Sequence, residues 1–216
     1  MALTGYMIAL ASLSLPFQHT AYSNEIDETV ILKDYTPLFT PIRTAQELSA
    51  REQALARQIN RQERLWQQGY ISRYEYFTIV GNWLMARFEL SRHKTAPQTL
   101  SEKQKELAAE IIDNFNTRID TLERLASAGQ TEEENVIKLK LNLLLFRRDL
   151  AIASGEPKET VMQHQKRIVE QSSAWLAFVQ KAVDNHVMGL ADLQEPQAML
   201  EKEQKRLHST ENTMPH

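Results

Sequence analysis

The sequence predicts an all-α protein: three long antiparallel helical hairpins, about six helices, in a coiled-coil or bundle arrangement. Three observations carry this expectation. Glycine and proline are scarce, 6 and 7 in 216 residues, while Glu, Gln, Lys, Arg, Leu and Ala dominate, which leaves little material for a turn-rich β fold. Apolar residues recur at spacings of three, four and seven, the signature of a helix face buried against another helix. Gly69, Gly129 and Gly189 stand 60 residues apart, each where one such pattern stops and another begins.

The chain opens on a segment that reads as a targeting signal, residues 1–23. Gly5 to Leu15 is an apolar run of eleven residues, short of the roughly 20 needed to span a bilayer. Pro16 breaks it, and Ala21 and Ser23 are small residues before a cut at Asn24, the layout of a secretory signal. The first Lys or Arg is Lys33, so the basic n-region of such a signal is missing; an uncleaved anchor and a buried helix remain open. Residues 24–43 form an irregular leader in which Val30, Ile31 and Leu32 add a short strand or lie along the helices, and Pro37 and Pro41 bar a helix.

The helical-hairpin domain covers 44–208, as 44–92, 101–153 and 157–208. Thr44 with Glu47 makes a capping box that opens the first helix, whose face is Leu48, Leu55, Ile59 and Trp66. Gly69 ends it, since the left-handed residue after a helix is least strained as glycine. Ser72 with Glu75 starts a second helix with a broad aromatic face (Tyr76, Phe77, Val80, Trp83, Leu84, Phe88). A connector with Pro97 leads to Ser101 and Gln104, a third cap, and to Leu107, Ile111, Phe115, Ile119, Leu122 and Leu125. Beyond Gly129, Thr131 to Glu134 begins the fourth helix.

In that fourth helix Val136, Leu143 and Leu150 step by seven, with Leu139 and Phe146 between them, and Leu141, Leu144 and Leu145 form a second flank. Apolar on two sides, it is expected to be the most buried element. Pro157 suits the first position of the fifth helix, with Val161, Ile168 and Trp175 in step. Gly189 ends it, Asp192 caps a sixth helix carrying Leu193, Leu200 and Leu207, and residues 209–216 are a flexible tail.

Laid on 123–151 without a gap, residues 63–91 give eight identities in 29 positions, among them Gly69/Gly129, Asn82/Asn142 and Arg87/Arg147. That is an internal repeat. The third copy matches mainly through its glycine and its heptads. Asn82 and Asn142 either fix register or sit on a solvated flank. Arg87 and Arg147 either snorkel or pair with an acid on a neighbouring helix.

Arg64 to Tyr76 (RLWQQGYISRYEY) with Ala86 to Leu90 resembles the coiled-coil hairpin of the TolC-like outer-membrane efflux proteins. Gly189 to Glu195 with Ala198 to Leu207 is similar to the same family's hairpin after its glycine. The Gly-Tyr-Ile-Ser tip also looks like that of periplasmic adaptor proteins. The resemblance covers about 100 residues, and it implies hairpins whose tips dock other hairpins: Gly69, Tyr70, Ile71 and Ser72, with Gly189, Leu190 and Asp192. A complete channel protomer would need barrel strands of about 9–11 residues, and the connectors at 92–100 and 154–156 have no room for a pair of them.

Function classes narrow accordingly. The net charge is −3 and no basic stripe is concentrated, so a nucleic-acid partner is not expected. Cysteine is absent, which removes disulfides, thiolate zinc and cysteine catalysis. No nucleophile elbow, phosphate loop or HExxH motif occurs, and no enzyme or cofactor is expected. Ser72 reads as a cap rather than a nucleophile, and Glu132 to Glu134 as acids placed for the helix dipole.

Met162 with His164, His186 with Met188, and Met214 with His216 pair thioether and imidazole, a combination suited to Cu(I) or Ag(I). Residues two apart on a helix diverge, however. Tyr70 and Ile71 are either a staple folded onto the hairpin or an exposed docking knob. The expected protein is therefore an exported, envelope-located interaction module, in the periplasm or at the outer membrane, with an accessory or component of an efflux or secretion assembly as the role that the resemblance implies. Its partner is a protein met through the tips, self-association included, and it touches a membrane only through its N-terminal segment. The alternative is a periplasmic bundle that binds a soft metal or a small ligand.

Overall fold

The computed structural model describes residues 44–93 and 100–212. They form α1 (Ala45–Gln67), α2 (Arg73–His93), α3 (Glu102–Ser127), α4 (Glu133–Ala153), α5 (Lys158–Asp184), a short 3-10 helix (Leu190–Leu193) and α6 (Gln194–Asn212). No strand occurs among the described residues, so the chain is an all-α helical array. The signal segment, the leader, Pro97 and the Met214–His216 pair lie outside the described residues. No helix among the described residues is long and apolar enough to cross a membrane.

Helix starts follow local capping chemistry. Thr44 and Ser101 each accept from the backbone three residues on and receive a side-chain acceptor in return. The same reciprocal bonds join Ser72 and Glu75, with Ser72 N donating to Glu75 Oε2 at 2.6 Å and Glu75 N to Ser72 Oγ at 3.1 Å. The fourth helix starts without such a box. Glu132 is the N-cap without a side-chain bond, and Glu134 is drawn away to Trp175 of α5.

Helix ends share one closure. Tyr70 N donates to Leu65 O and Gly69 N to Trp66 O, and Gln130 and Gly129 repeat these bonds to Leu125 and Ala126. This is the Schellman pair of bonds, with Gly69 at φ 77° and Gly129 at φ 68° in the left-handed region. Gly155, at φ 68°, closes α4 in the same way.

The third tip departs from expectation. Gly189 has φ −92° and caps the 3-10 helix; the left-handed residue is His186, at φ 60°. Val187 N reaches Ala182 O and His186 N reaches Val183 O, so α5 ends at Asp184 and the third reversal comes three residues before the glycine. The intervening residues bring Leu193 into the core before α6 begins. Two boundaries also move. Pro157 is the N-cap of α5 rather than its first helical residue, and α6 runs on through Asn212 instead of fraying from Ser209.

Helices alternate in direction, and each lies closest to its chain neighbours, across connectors as well as tips. The hairpins therefore merge into one continuous array. α4 is its shared wall. Val136, Leu139, Leu143 and Phe146 join a core with α2 and α3, where Phe146 meets Phe88 and Phe115 with ring centroids 5.9 and 6.2 Å apart. Leu141 and Leu145 join a second core with Ile168, Trp175 and Val179 of α5 and with Leu193. α2 and α3 come together at Gly81, where a Cβ would lie 2.5 Å from Asn114 Oδ1. Asn114 is held there by donating to Phe77 O at 2.9 Å.

Candidate functional site

The up-down order puts the reversals at 69, 129 and 186 at one end of the array and the α2–α3 and α4–α5 connectors at the other. Among the described residues, three of the four exposed large hydrophobic residues fall at the reversal end: Tyr70, 75% exposed, and Val187 and Leu190, each 77% exposed. Tyr70 and Val187 both follow the left-handed residue, a position whose apolar side chain commonly folds back on the helix. Here neither does, and the staple reading fails for Tyr70. Ile71 is half-buried and Ser72 exposed. Behind Tyr70, Trp66 stacks on Tyr76 with centroids 4.8 Å apart, and Phe77 abuts both rings. Arg73 caps the group from above Phe77. Burial, and then the charge of Glu63, push the Tyr76 hydroxyl above its ordinary pKa.

At the third tip Gly189, Leu190 and Asp192 are all exposed. Asp192 Oδ2 accepts from Gly189 N at 2.8 Å, so its role is to start the 3-10 helix. Val187 was not singled out by sequence. Reading the reversal at the glycine hid it, whereas reading His186 as the left-handed residue would have placed it on the tip.

A second feature is a buried ion network toward the connector end. Glu203 of α6, fully buried, accepts from Arg148 of α4 at 2.7 Å, from Gln165 of α5 at 3.0 Å and from Arg206 at 3.2 Å. Arg148 also grips Asp149 through two donors at 2.9 and 2.8 Å. Burial lowers the pKa of the Arg92 guanidinium on α2, and the charge of Asp149 pulls it back up. The bonds of Glu203 to Arg148 and Gln165 join α6 to α4 and α5, so the network works as a clamp that fixes α6 against both. The signals for it were present: Arg148-Asp149 interrupts the most apolar helix, and Glu203 lies between Leu200 and Leu207 on the core face.

Glu134 is likewise buried. It accepts from Trp175 Nε1 at 2.8 Å and from Lys138 Nζ at 2.9 Å, a tertiary task that the dipole reading missed. Glu52 accepts from Trp83 Nε1 at 2.9 Å in the first hairpin. Arg87 lies over the Trp83 ring at 4.5 Å, so it stacks rather than pairs. Asn142 is buried while Asn82 is only half-buried.

Among the described residues no three His, Asp or Glu side chains are grouped to hold an ion. His186 is taken up by the reversal, Met188 packs against the second core, and Met162 and His164 are half-buried on α5. No family model, curated protein or solved structure matches this chain. What the tips and the clamp can do follows from their own chemistry.

Proposed function

We propose that this protein is a non-catalytic helical-hairpin interaction module that docks a protein partner through the apolar reversal end, as a component or accessory of an envelope assembly of the efflux or secretion kind. One observation carries the reading. Among the described residues, Tyr70, Val187 and Leu190 are the most exposed large apolar side chains, and they sit on two closed tips at the same end. Large apolar groups held out on rigid supports favour contact with a partner over contact with water. The clamp and the two cores supply the stiffness, and the TolC-like look of the tip sequences supplies the class of assembly.

The test places a photoreactive residue at Tyr70, Leu190 or Gln130, the last being the polar counterpart of Tyr70 on the second tip. Crosslinking is carried out in intact cells after the mature N-terminus has been located. The expected result is one and the same adduct from positions 70 and 190 and none from 130. Equal background from all three positions overturns the reading, as does recovery of the protein outside the envelope.

A further inference from the structure

α1 and α3 carry matched rows of opposite charge. Arg57, Arg61 and Arg64 occupy one exposed stripe of α1, at steps of four and three. Glu106, Glu110 and Asp113 occupy an exposed stripe of α3 at the same steps. Each row is about 10 Å long at 1.5 Å per residue. None of the six is in an ion pair among the described residues. Arg64 turns its Nε to Asn60 O at 3.3 Å. The one basic residue within the acidic stretch as it continues to Asp120 is Arg118, which is 3% exposed and faces Tyr74 and Phe115 on the buried side. Like charges lined up at four-residue spacing disfavour their own helix slightly, and within one chain the two rows do not reach each other.

From this geometry we propose that two copies of the chain associate with the arginine row of α1 in each copy against the carboxylate row of α3 in the other. α1 and α3 run in the same direction, so a two-fold axis between them turns each onto its opposite antiparallel. Arg57 then faces Asp113, Arg61 faces Glu110 and Arg64 faces Glu106, twice over, in a closed isologous contact. Such an interface takes its specificity from charge and is screened by salt, with a Debye length of about 10 Å at 0.1 M. Neither row contains a tip residue, so Tyr70→Ser leaves it unchanged.

The experiment is sedimentation velocity on the whole chain at about 0.02 and 0.5 M NaCl, chosen to span the screening range. The wild type is expected as a dimer at low salt and a monomer at high salt. Arg57→Glu with Arg61→Glu and Arg64→Glu is expected to be monomeric, and so is Glu106→Lys with Glu110→Lys and Asp113→Lys, each association weakened about 100-fold or more. Mixed in equal amounts, these two variants regain complementary rows and form a heterodimer. All six positions are exposed, so circular dichroism should show an unchanged fold. A monomeric wild type at low salt overturns the proposal, and that includes a chain that instead binds an acidic polymer through α1. So does a dimer that survives either reversal, or a mixture that stays monomeric.

Discussion

α1 and α3 end in the same way, on a left-handed glycine with the same two backbone bonds, and the sequences around those glycines align without a gap. Yet α1 buries one side chain, Leu48, while α3 buries nine residues. α2 buries six residues and α4 fourteen. Among the described residues the first copy is the edge of the array, where α1 has a single neighbour; the second is sandwiched between hairpins. Local sequence therefore sets the closure, and position in the stack sets the burial, as expected when each repeat touches only its neighbours. The edge copy also carries the aromatic tip, whereas the inner copy has Ala126, Gln130 and Thr131 in place of Trp66, Tyr70 and Ile71.

The largest difference should appear in the cores. Phe146→Ala on α4 removes a fully buried ring that joins α2, α3 and α4, at a cost of about 3–5 kcal/mol. Ile59→Ala, on the half-buried face of α1, should cost less, about 1–2 kcal/mol, because part of its surface already meets water. Urea denaturation of the two variants compares them directly. Equal losses would mean that the edge copy is covered as fully as the inner one.

The tryptophan–glutamate bond gives a finer version of the same contrast. Glu134→Ala leaves the Trp175 indole and the Lys138 ammonium without their acceptor in a buried place, which costs about 2–3 kcal/mol. Glu52→Ala releases Trp83 where the indole is half-buried and water can replace the lost acceptor, for less than about 1 kcal/mol. Thermal unfolding of both variants would show the ratio.

These contrasts mark what the sequence disclosed. The two-sided apolar pattern of α4 announced its place as the central wall, because periodicity reports burial directly. The caps at Thr44, Ser72 and Ser101 and the reversals at Gly69 and Gly129 were legible for a similar reason: each is a local conformational need met by a residue type. His186 was not, since left-handed backbone at a non-glycine residue depends on how the next segment packs, here on the burial of Leu193. The partners of Glu134 and Glu203 lie 41 and 55 residues away, and no local pattern names a partner at that distance. Of the tip residues, Tyr70 could be placed on a reversal from sequence, but its exposure is a property of the packed array.

The closures offer a test that ignores burial altogether. Gly69 and Gly129 both have open space where a Cβ would stand, so alanine at either costs only the left-handed strain, about 1–2 kcal/mol. The two losses should match despite the unequal burial around them. His186→Gly should move the other way, relieving the strain at φ 60° and raising stability by up to about 1 kcal/mol, part of it cancelled by the freer unfolded chain. A destabilised His186→Gly would mean that the imidazole holds the third tip by contacts of its own.

The smallest effect is one of pH, and it probes the connector end. His164 Nδ1 is buried and meets no hydrogen-bond partner among the described residues. Burial lowers its pKa most, Arg167 and Arg147 add to the lowering, and Glu156 opposes it. A histidine held below its ordinary value of about 6.5 binds its proton more weakly folded than unfolded. Its contribution is therefore fully present above about pH 6.5, and is lost as pH falls from there toward the depressed folded value. The ring is partly solvent-exposed, which keeps the effect modest. Denaturant midpoints measured at about pH 7.5 and 5.5, on either side of the ordinary value, should fall on acidification for the wild type and fall less for His164→Gln. An unchanged slope in that variant would assign the acid sensitivity to other groups and leave the Nδ1 site without a role in it.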